Sequence, residues 1–367
     1  MSKPLNVVMF YADQEKEWNC SQHLIQEPRD ALNRAGHNAQ SFPLSSFLSQ
    51  TFQAHVACRE SDIIIIERNI LGTIPNEILN WQAKGKPVVV RFDDYYQGLP
   101  TTHVIYRHWH EGYIHDEAGN LQVVSMKPVD QLRIGMRLVD AALLTSPALV
   151  QAWQAYAPCY LVPNYLNPAR YKGAEKKPHE GLWIGWGGSV SHFETIQNCG
   201  VVPGIKRVMS VHPEAKLIVQ TSDPRIEKLF HIPAEQKVYQ EWVPYEQWKD
   251  SLQQFDISLA TVYDYYDTHR SLLHISEPLM LDSPVPVIAS NAEPYAGYGQ
   301  YAHLVPNTAQ GWERGILQAV EHLDEYRQQA KEVGQPWAES LSIDKNIDHW
   351  VNTLTEIIER KKAQDGA

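Results

Sequence analysis

Two stretches hold residues whose types and spacing could bind a phosphorylated ligand. The first is Ile184-Gly185-Trp186-Gly187-Gly188-Ser189-Val190-Ser191-His192. An apolar strand that runs into glycines and then a helix start lets the backbone approach an anion closely. Exposed amide N–H groups and the helix N-terminus supply the positive potential. The second is Asp267-Thr268-His269-Arg270-Ser271-Leu272-Leu273-His274-Ile275-Ser276-Glu277, with Pro286-Val287-Ile288-Ala289-Ser290 behind it. A helix that begins near Arg270 or Ser271 would put Arg270, His274 and Glu277 on one face. Arginine offers a planar fork that matches phosphate oxygens. A carboxylate two turns further on can accept hydrogen bonds from ribose hydroxyls. The same stretches also read as a common turn and a surface ion pair on a helix.

A second set of polar residues lies in the first half. Val90-Arg91-Phe92-Asp93-Asp94 ends an apolar strand in two acids, and Tyr11-Ala12-Asp13 ends another in one. Acids at the carboxyl ends of strands could hold sugar hydroxyls, or could be turn and capping residues. Residues 101–137 break the surrounding rhythm and carry His103, His108, His110 and His115 around Trp109. A long irregular insertion is often functional, so an acceptor-binding loop is one reading and surface histidines are the other. No second ligand set accompanies these histidines, and no metal site is expected.

The elements that must position these residues follow a repeating strand–helix pattern. Leu5 to Phe10, Ile63 to Ile66, Val88 to Phe92, Ala141 to Leu144 and Tyr160 to Val162 read as strands. Runs such as Ile63-Ile64-Ile65-Ile66, apolar on both faces, suit a central parallel strand. Helices fit Leu24 to Ala35, stopped by Gly36, Asn76 to Lys84, stopped by Gly85, and Pro147 to Tyr156. A polar break at Asn167 to Glu180 separates this from a second series: Leu182 to Trp186, Lys216 to Gln220, Val238 to Trp242, Asp256 to Ala260 and Val285 to Ala289. Alternation of this kind predicts two doubly wound α/β domains facing across a cleft at the carboxyl ends of their strands. The expected boundaries are 1–166, 167–345 and a crossover helix at 346–367. In that last segment Ile347, Trp350, Val351, Leu354, Ile357 and Ile358 keep helical spacing.

Composition narrows the function. The chain has 367 residues, 43% apolar and 20% charged, ordinary for a globular protein. Its net charge of −11 weakens a nucleic-acid reading, since such binders usually carry a basic excess. The densest basic stretch, Arg170 to Lys177, reads as a solvated linker. The four cysteines form no CxxC pair and are expected as reduced thiols. No apolar run approaches the length of a membrane span. Met1-Ser2-Lys3-Pro4 leads directly into a strand, so a cytoplasmic location is expected.

Taken in order, these segments resemble the retaining GT-B glycosyltransferases of the group 1 or family 4 type. Residues 185–192 are similar to that family's Gly-Trp-x-Gly-Ser-x-x-His turn. Arg270, Ser271, Glu277 and residues 286–290 are similar to its basic-Ser…Lys…Glu…Pro-Val-Ile-Ala-Ser run, with His274 standing where the lysine often stands. The stretch Val162-Pro163-Asn164-Tyr165-Leu166-Asn167 resembles the family's Val-Pro-Asn-Gly-x-Asp, Asp93-Asp94 its first-domain acid pair, and Glu67-Arg68-Asn69 its strand ending in Arg-Asn. The resemblance covers roughly the whole chain and implies that the last helix packs back on the first domain. It implies a metal-independent enzyme without cofactor that takes a nucleotide-sugar donor, UDP-sugar favoured. Arg270, Gly187, Gly188, Ser189, Ser271 and His274 would lie at the diphosphate, Glu277 at the ribose and Val243 beside the base. His192 and Asp93 would contact sugar or acceptor, with Asp13, Asp94 and His103 on the acceptor side. A glycan or lipid-linked glycan is the expected acceptor. Hydroxymethylated bases in DNA, or a nucleotide-sugar-binding protein without catalysis, remain alternatives.

Overall fold

A computed structural model describes residues 3–12, 20–115, 119–263 and 265–366. The chain forms two compact units, one of Met1–Tyr165 with Ile343–Ala367, the other of Leu166–Ser342.

The first unit is built on a six-stranded sheet. Its strands are β1 (Asn6–Tyr11), β2 (Asn38–Pro43), β3 (Ile63–Glu67) and β4 (Val88–Phe92), then β7 (Ala141–Leu144) and β8 (Cys159–Leu161). Between them a separate hairpin pairs β5 (Tyr113–His115) with β6 (Leu121–Val123). The large sheet runs β2-β1-β3-β4-β7-β8, all parallel. Helices cover both faces, so β3, β4 and β7 are buried along their whole length, the charged Glu67 and Arg91 included. Gly36 and Gly85 end their helices in the left-handed conformation, at φ 87° and 73°. The chain returns at its end: helix Ile347–Asp365 buries Trp350, Leu354, Ile357 and Ile358 in the same core as Val7, Met9 and Ile65. Tyr165 Oη meets His349 Nδ1 at 2.7 Å, and Arg360 donates to the Asp140 carbonyl.

The second unit repeats the plan with β9 (Trp183–Gly187), β10 (Lys216–Gln220), β11 (Lys237–Gln240), β12 (Ile257–Ala260), β13 (Val287–Ser290) and β14 (His303–Val305). The parallel order is β11-β10-β9-β12-β13-β14. Its core joins Ile184, Trp186, Leu217, Leu259 and Ile288 to Ile205, Trp312 and Ile316 of the covering helices. The basic stretch after residue 170 is anchored to this unit: Lys176 Nζ donates to Asp256 Oδ1 at 2.6 Å, and the peptide N–H of Gly173 to Asp282.

Two expectations are corrected. The helix that was to start near Arg270 begins at Leu273 and ends at Met280. Residues 265–269 form a 3₁₀ turn, and Arg270 and Ser271 lead irregularly to a bend at Leu272, so Arg270 and Glu277 do not share a helix face. The strand expected to reach Trp242 stops at Gln240.

Candidate functional site

In the second unit the chain leaves β9 for β10 and β11 on one side, then restarts at β12 on the other. The loops after β9 and β12 therefore diverge at the carboxyl edge, the place where open α/β sheets bind ligands. These two loops carry the Gly-rich turn and Arg270. Trp186, the penultimate residue of β9, donates its indole N–H to Thr261 just past β12, at 3.2 Å.

The turn after β9 leaves no room for side chains. A Cβ on Gly187 would sit 2.3 Å from Trp248 Cη2, and one on Gly188 2.7 Å from Trp186 Cζ2. Gly188 N–H donates to the Gln220 carbonyl at 3.0 Å. Ser189 precedes a 3₁₀ turn at Val190–His192, and its hydroxyl lies 2.8 Å from that of Ser191.

Arg270 reaches back to this turn. Its Nη1 donates to Ser191 Oγ at 3.2 Å and its Nη2 to the Ser191 carbonyl at 2.9 Å. On the other side Nε donates to Asp267 Oδ1 at 3.0 Å. Asp267 is itself buried, and its Oδ2 accepts from Thr195 Oγ at 2.7 Å and from the Tyr263 N–H at 2.6 Å. A single guanidinium thus bridges both switch-point loops and is aimed by a buried acid. His192 lies edge-on to Trp186 and 4.8 Å, centroid to centroid, from His274. Burial and the Arg270 charge lower His274 to about 4. The imidazole at this position is therefore neutral near pH 7.

Glu277, one turn further along its helix, is buried. Its Oε1 accepts from Tyr171 Oη at 2.8 Å and its Oε2 from Trp248 Nε1 at 2.9 Å. Burial pushes its pKa up to about 7, partly offset by those two hydrogen bonds. Ser271 is half-buried beside Arg270. Val243 stands apart, in the loop after the edge strand β11, two strands out from β9.

The first unit has its own switch point between β1 and β3. Glu67, fully buried at the end of β3, accepts from the Ala12 N–H at 2.9 Å and from the Ser21 hydroxyl. The next residue, Arg68, takes a positive φ of 50° and grips Asp93 with two bonds, Nε–Oδ1 2.6 Å and Nη2–Oδ2 3.0 Å. Asp94 accepts from Tyr96 Oη at 2.9 Å. Asp93 and Asp94 therefore sit together at the strand end, inside an ion-paired cluster. Arg91 is fully buried, bonded to Asn164 Oδ1 at 3.1 Å and lying 4.5 Å over the Trp350 ring; burial lowers it to about 9. His103 is buried in the turn before the hairpin, while His108 and His110 bond the Tyr113 and Tyr96 carbonyls. Asp13 lies outside the described residues. Among the described residues, no group of three or more His, Cys, Asp or Glu side chains is placed to hold a metal ion.

No family profile and no curated sequence matches the chain. Solved structures do. A sucrose-phosphate synthase from Thermosynechococcus elongatus aligns with TM-score 0.61 at 12% identity, over 95% of this chain and 99% of that one. An α,α-trehalose 6-phosphate synthase from Burkholderia multivorans aligns with TM-score 0.59 at 10% identity, over 100% and 99%. The catalytic domain of starch synthase IV from Arabidopsis thaliana, bound to ADP and acarbose, aligns with TM-score 0.56 at 10% identity, over 97% and 100%. The chain has the GT-B fold. That architecture accounts for the two parallel sheets and for the last helix returning to the first unit. A putative UDP-N-acetylglucosamine 2-epimerase from Listeria monocytogenes also shares it, with TM-score 0.52, so the GT-B fold by itself does not select one reaction.

Three residues at the second unit's switch point had no counterpart in the sequence reading: Thr195, Tyr171 and Trp248. Tyr171 and Glu277 are 106 positions apart, and Trp248 and Glu277 29, so no local spacing reveals either contact. Asp267, three residues before Arg270, was within reach of a spacing argument.

Proposed function

We propose that the chain is a retaining glycosyltransferase of the group 1 type that moves a hexose from a nucleoside-diphosphate sugar, UDP-hexose favoured, to a hydroxyl of a glycan or lipid-linked glycan. The observation that carries this reading is Arg270 docked on the Gly-rich turn at the switch point. Charge that develops on a leaving diphosphate needs donors already aimed at it. Arg270 and the peptide N–H of Ser189 would supply them, with Gly187 and Gly188 letting the backbone come close; the Gly188 N–H itself is held by the Gln220 carbonyl. Ser271 and the neutral His274 would border the diphosphate, and Val243 the base. Glu277 would accept from the ribose hydroxyls. The acceptor hydroxyl would pass its proton to the leaving phosphate, and His192 and Asp93 are proposed to orient sugar or acceptor. No metal ion or cofactor enters this scheme, and no protein nucleophile is named.

The test is a thermal-shift panel of nucleotides and nucleotide sugars, followed by transfer from labelled UDP-glucose to glycan and lipid-linked acceptors with and without EDTA. A ligand at 100 times its dissociation constant stabilises by about 2.7 kcal/mol. The reading expects stabilisation by one nucleoside diphosphate and its sugars, and a product whose anomeric configuration, read by NMR, matches the donor. A panel without any stabilising nucleotide refutes the donor site, and an inverted product refutes retention.

A further inference from the structure

Trp248 is the first residue of helix Trp248–Gln254 and is buried. One end of its indole, Nε1, donates to Glu277 Oε2 at 2.9 Å. The other end, Cη2, lies where a Cβ on Gly187 would collide, at 2.3 Å. One rigid ring therefore spans the Gly-rich turn and the carboxylate. Tyr171, also buried, fixes the second oxygen at 2.8 Å. Resting on the donor-site reading above, we propose that Trp248, with Tyr171, is a positioning residue that holds Glu277 one indole's width from the diphosphate turn so that its carboxylate meets a pair of vicinal hydroxyls on the donor.

The chemistry of the two donors supports this. A carboxylate has about four acceptor directions, and a neutral N–H and a neutral O–H each use one. A lysine or arginine in their place would also cancel the charge. Donors that are neutral fix the orientation without cancelling the charge. Burial makes a carboxylate held by neutral donors costly, because the charge is taken out of water. The cost is visible in Glu277, which burial has pushed up to about 7. Any hydroxyl pair that donates to the carboxylate would offset part of it.

The variant Trp248→Phe keeps a ring against Gly187 and removes the N–H. Uridine diphosphate, adenosine diphosphate and guanosine diphosphate are first titrated calorimetrically into the wild type. Failure of all three to bind overturns the donor-site reading and this inference with it. With the diphosphate that binds, Trp248→Phe should weaken affinity about 10-fold, the loss of one charge-assisted hydrogen bond. The donor KM should rise more than kcat falls. The pH below which binding is lost should move upward, because an unheld carboxylate protonates more readily. Tyr171→Phe should act in the same direction, and is the deciding variant if Trp248→Phe does not fold. Combining Trp248→Phe with Glu277→Gln should weaken binding no further than Glu277→Gln alone. A lowered Tm with wild-type affinity and an unmoved pH profile would mean that Trp248 is only packing. If Glu277→Gln weakens the diphosphate while Trp248→Phe does not, the ribose role stands and the positioning role falls. If neither weakens it, the ribose role itself is wrong.

Discussion

Glu277 starts from an ordinary carboxylate value of 4.5 and is carried to about 7 by burial, with Trp248 and Tyr171 pulling the other way. Its folded-state pKa therefore lies above its unfolded one. Between those two values the folded protein binds the proton more tightly, so stability is lost as pH rises from about 4.5 to about 7. Glu277→Gln keeps the shape without the charge. It should raise the melting temperature relative to wild type at pH 8 and much less at pH 5, a difference on the order of 2 kcal/mol between the two conditions. Paired melts at the two pH values measure this, and an equal offset at both would contradict it. The same variant should weaken the nucleoside diphosphate about 10-fold, so stability and binding move in opposite directions, as expected where a site carries a strained group. Arg270 differs, because it acts on developing charge. Arg270→Ala should lower turnover by roughly 10²-fold, the cost of losing one transition-state donor. Steady-state rates equal to wild type would remove Arg270 from the reaction. Both residues were legible in the sequence because they fall in a spaced run. What holds Glu277 was not: Tyr171 and Trp248 meet it only through the fold, whereas Asp267 stands just three residues before the Arg270 it aims.

At the scale of elements, the Gly-rich turn depends on the strand that feeds it and the ring that covers it. Gly187 closes β9, and Trp248 lies against its α-carbon. Gly187→Ala should force the indole aside and strain both the turn and the Glu277 contact, costing about 1–3 kcal/mol as overpacking does. Gly297→Ala is the control, since a Cβ there meets nothing within 4 Å. The expected outcome is a lower Tm and weaker diphosphate binding for Gly187→Ala, and neither for Gly297→Ala. Equal behaviour of the two would show that close packing at the turn is unimportant. The buried strands could be read directly, because burial on both faces demands runs such as Ile63 to Ile66. Two of the edge strands, β2 and β14, could not. Asn38–Pro43 buries only Ala39 and contains polar residues, and His303–Val305 is only three residues long. Arg270 was misplaced on a helix for a related reason. Ser271 and Leu272 have side chains that a helix tolerates, yet Arg270 and Asp267 tie this segment to the turn after β9, and the helix starts only at Leu273. Tertiary contacts here override a local pattern that fits equally well.

At the scale of the molecule, the chain enters the first unit, builds the second, and ends back on the first. The period of Trp350, Leu354, Ile357 and Ile358 announced a buried stripe, the family resemblance implied its return to the first unit, and the core of that unit receives it. Trp350 is 1% exposed and lies under the guanidinium of Arg91, itself fully buried. Trp350→Ala therefore opens a cavity and also strips the aromatic face from a buried cation. Truncating a core tryptophan costs about 3–5 kcal/mol, and the loss of a desolvated cation–π contact adds up to about 2 kcal/mol. That damage belongs to the first unit, whereas the proposed donor residues Arg270 and Glu277 belong to the second. A chain of two compact units need not unfold in one step. Calorimetric scans of Trp350→Ala should show the transition of the first unit displaced downward. Saturating nucleoside diphosphate should raise a different transition, by the same amount as in wild type, and its Kd measured below both transitions should be unchanged. If the diphosphate instead rescues the transition that Trp350→Ala lowers, then either the donor site draws on the first unit or the two units unfold together. Donor affinity in Trp350→Ala at low temperature separates those outcomes: a weakened Kd in the still-folded protein points to a shared site, and an unchanged one to coupled unfolding.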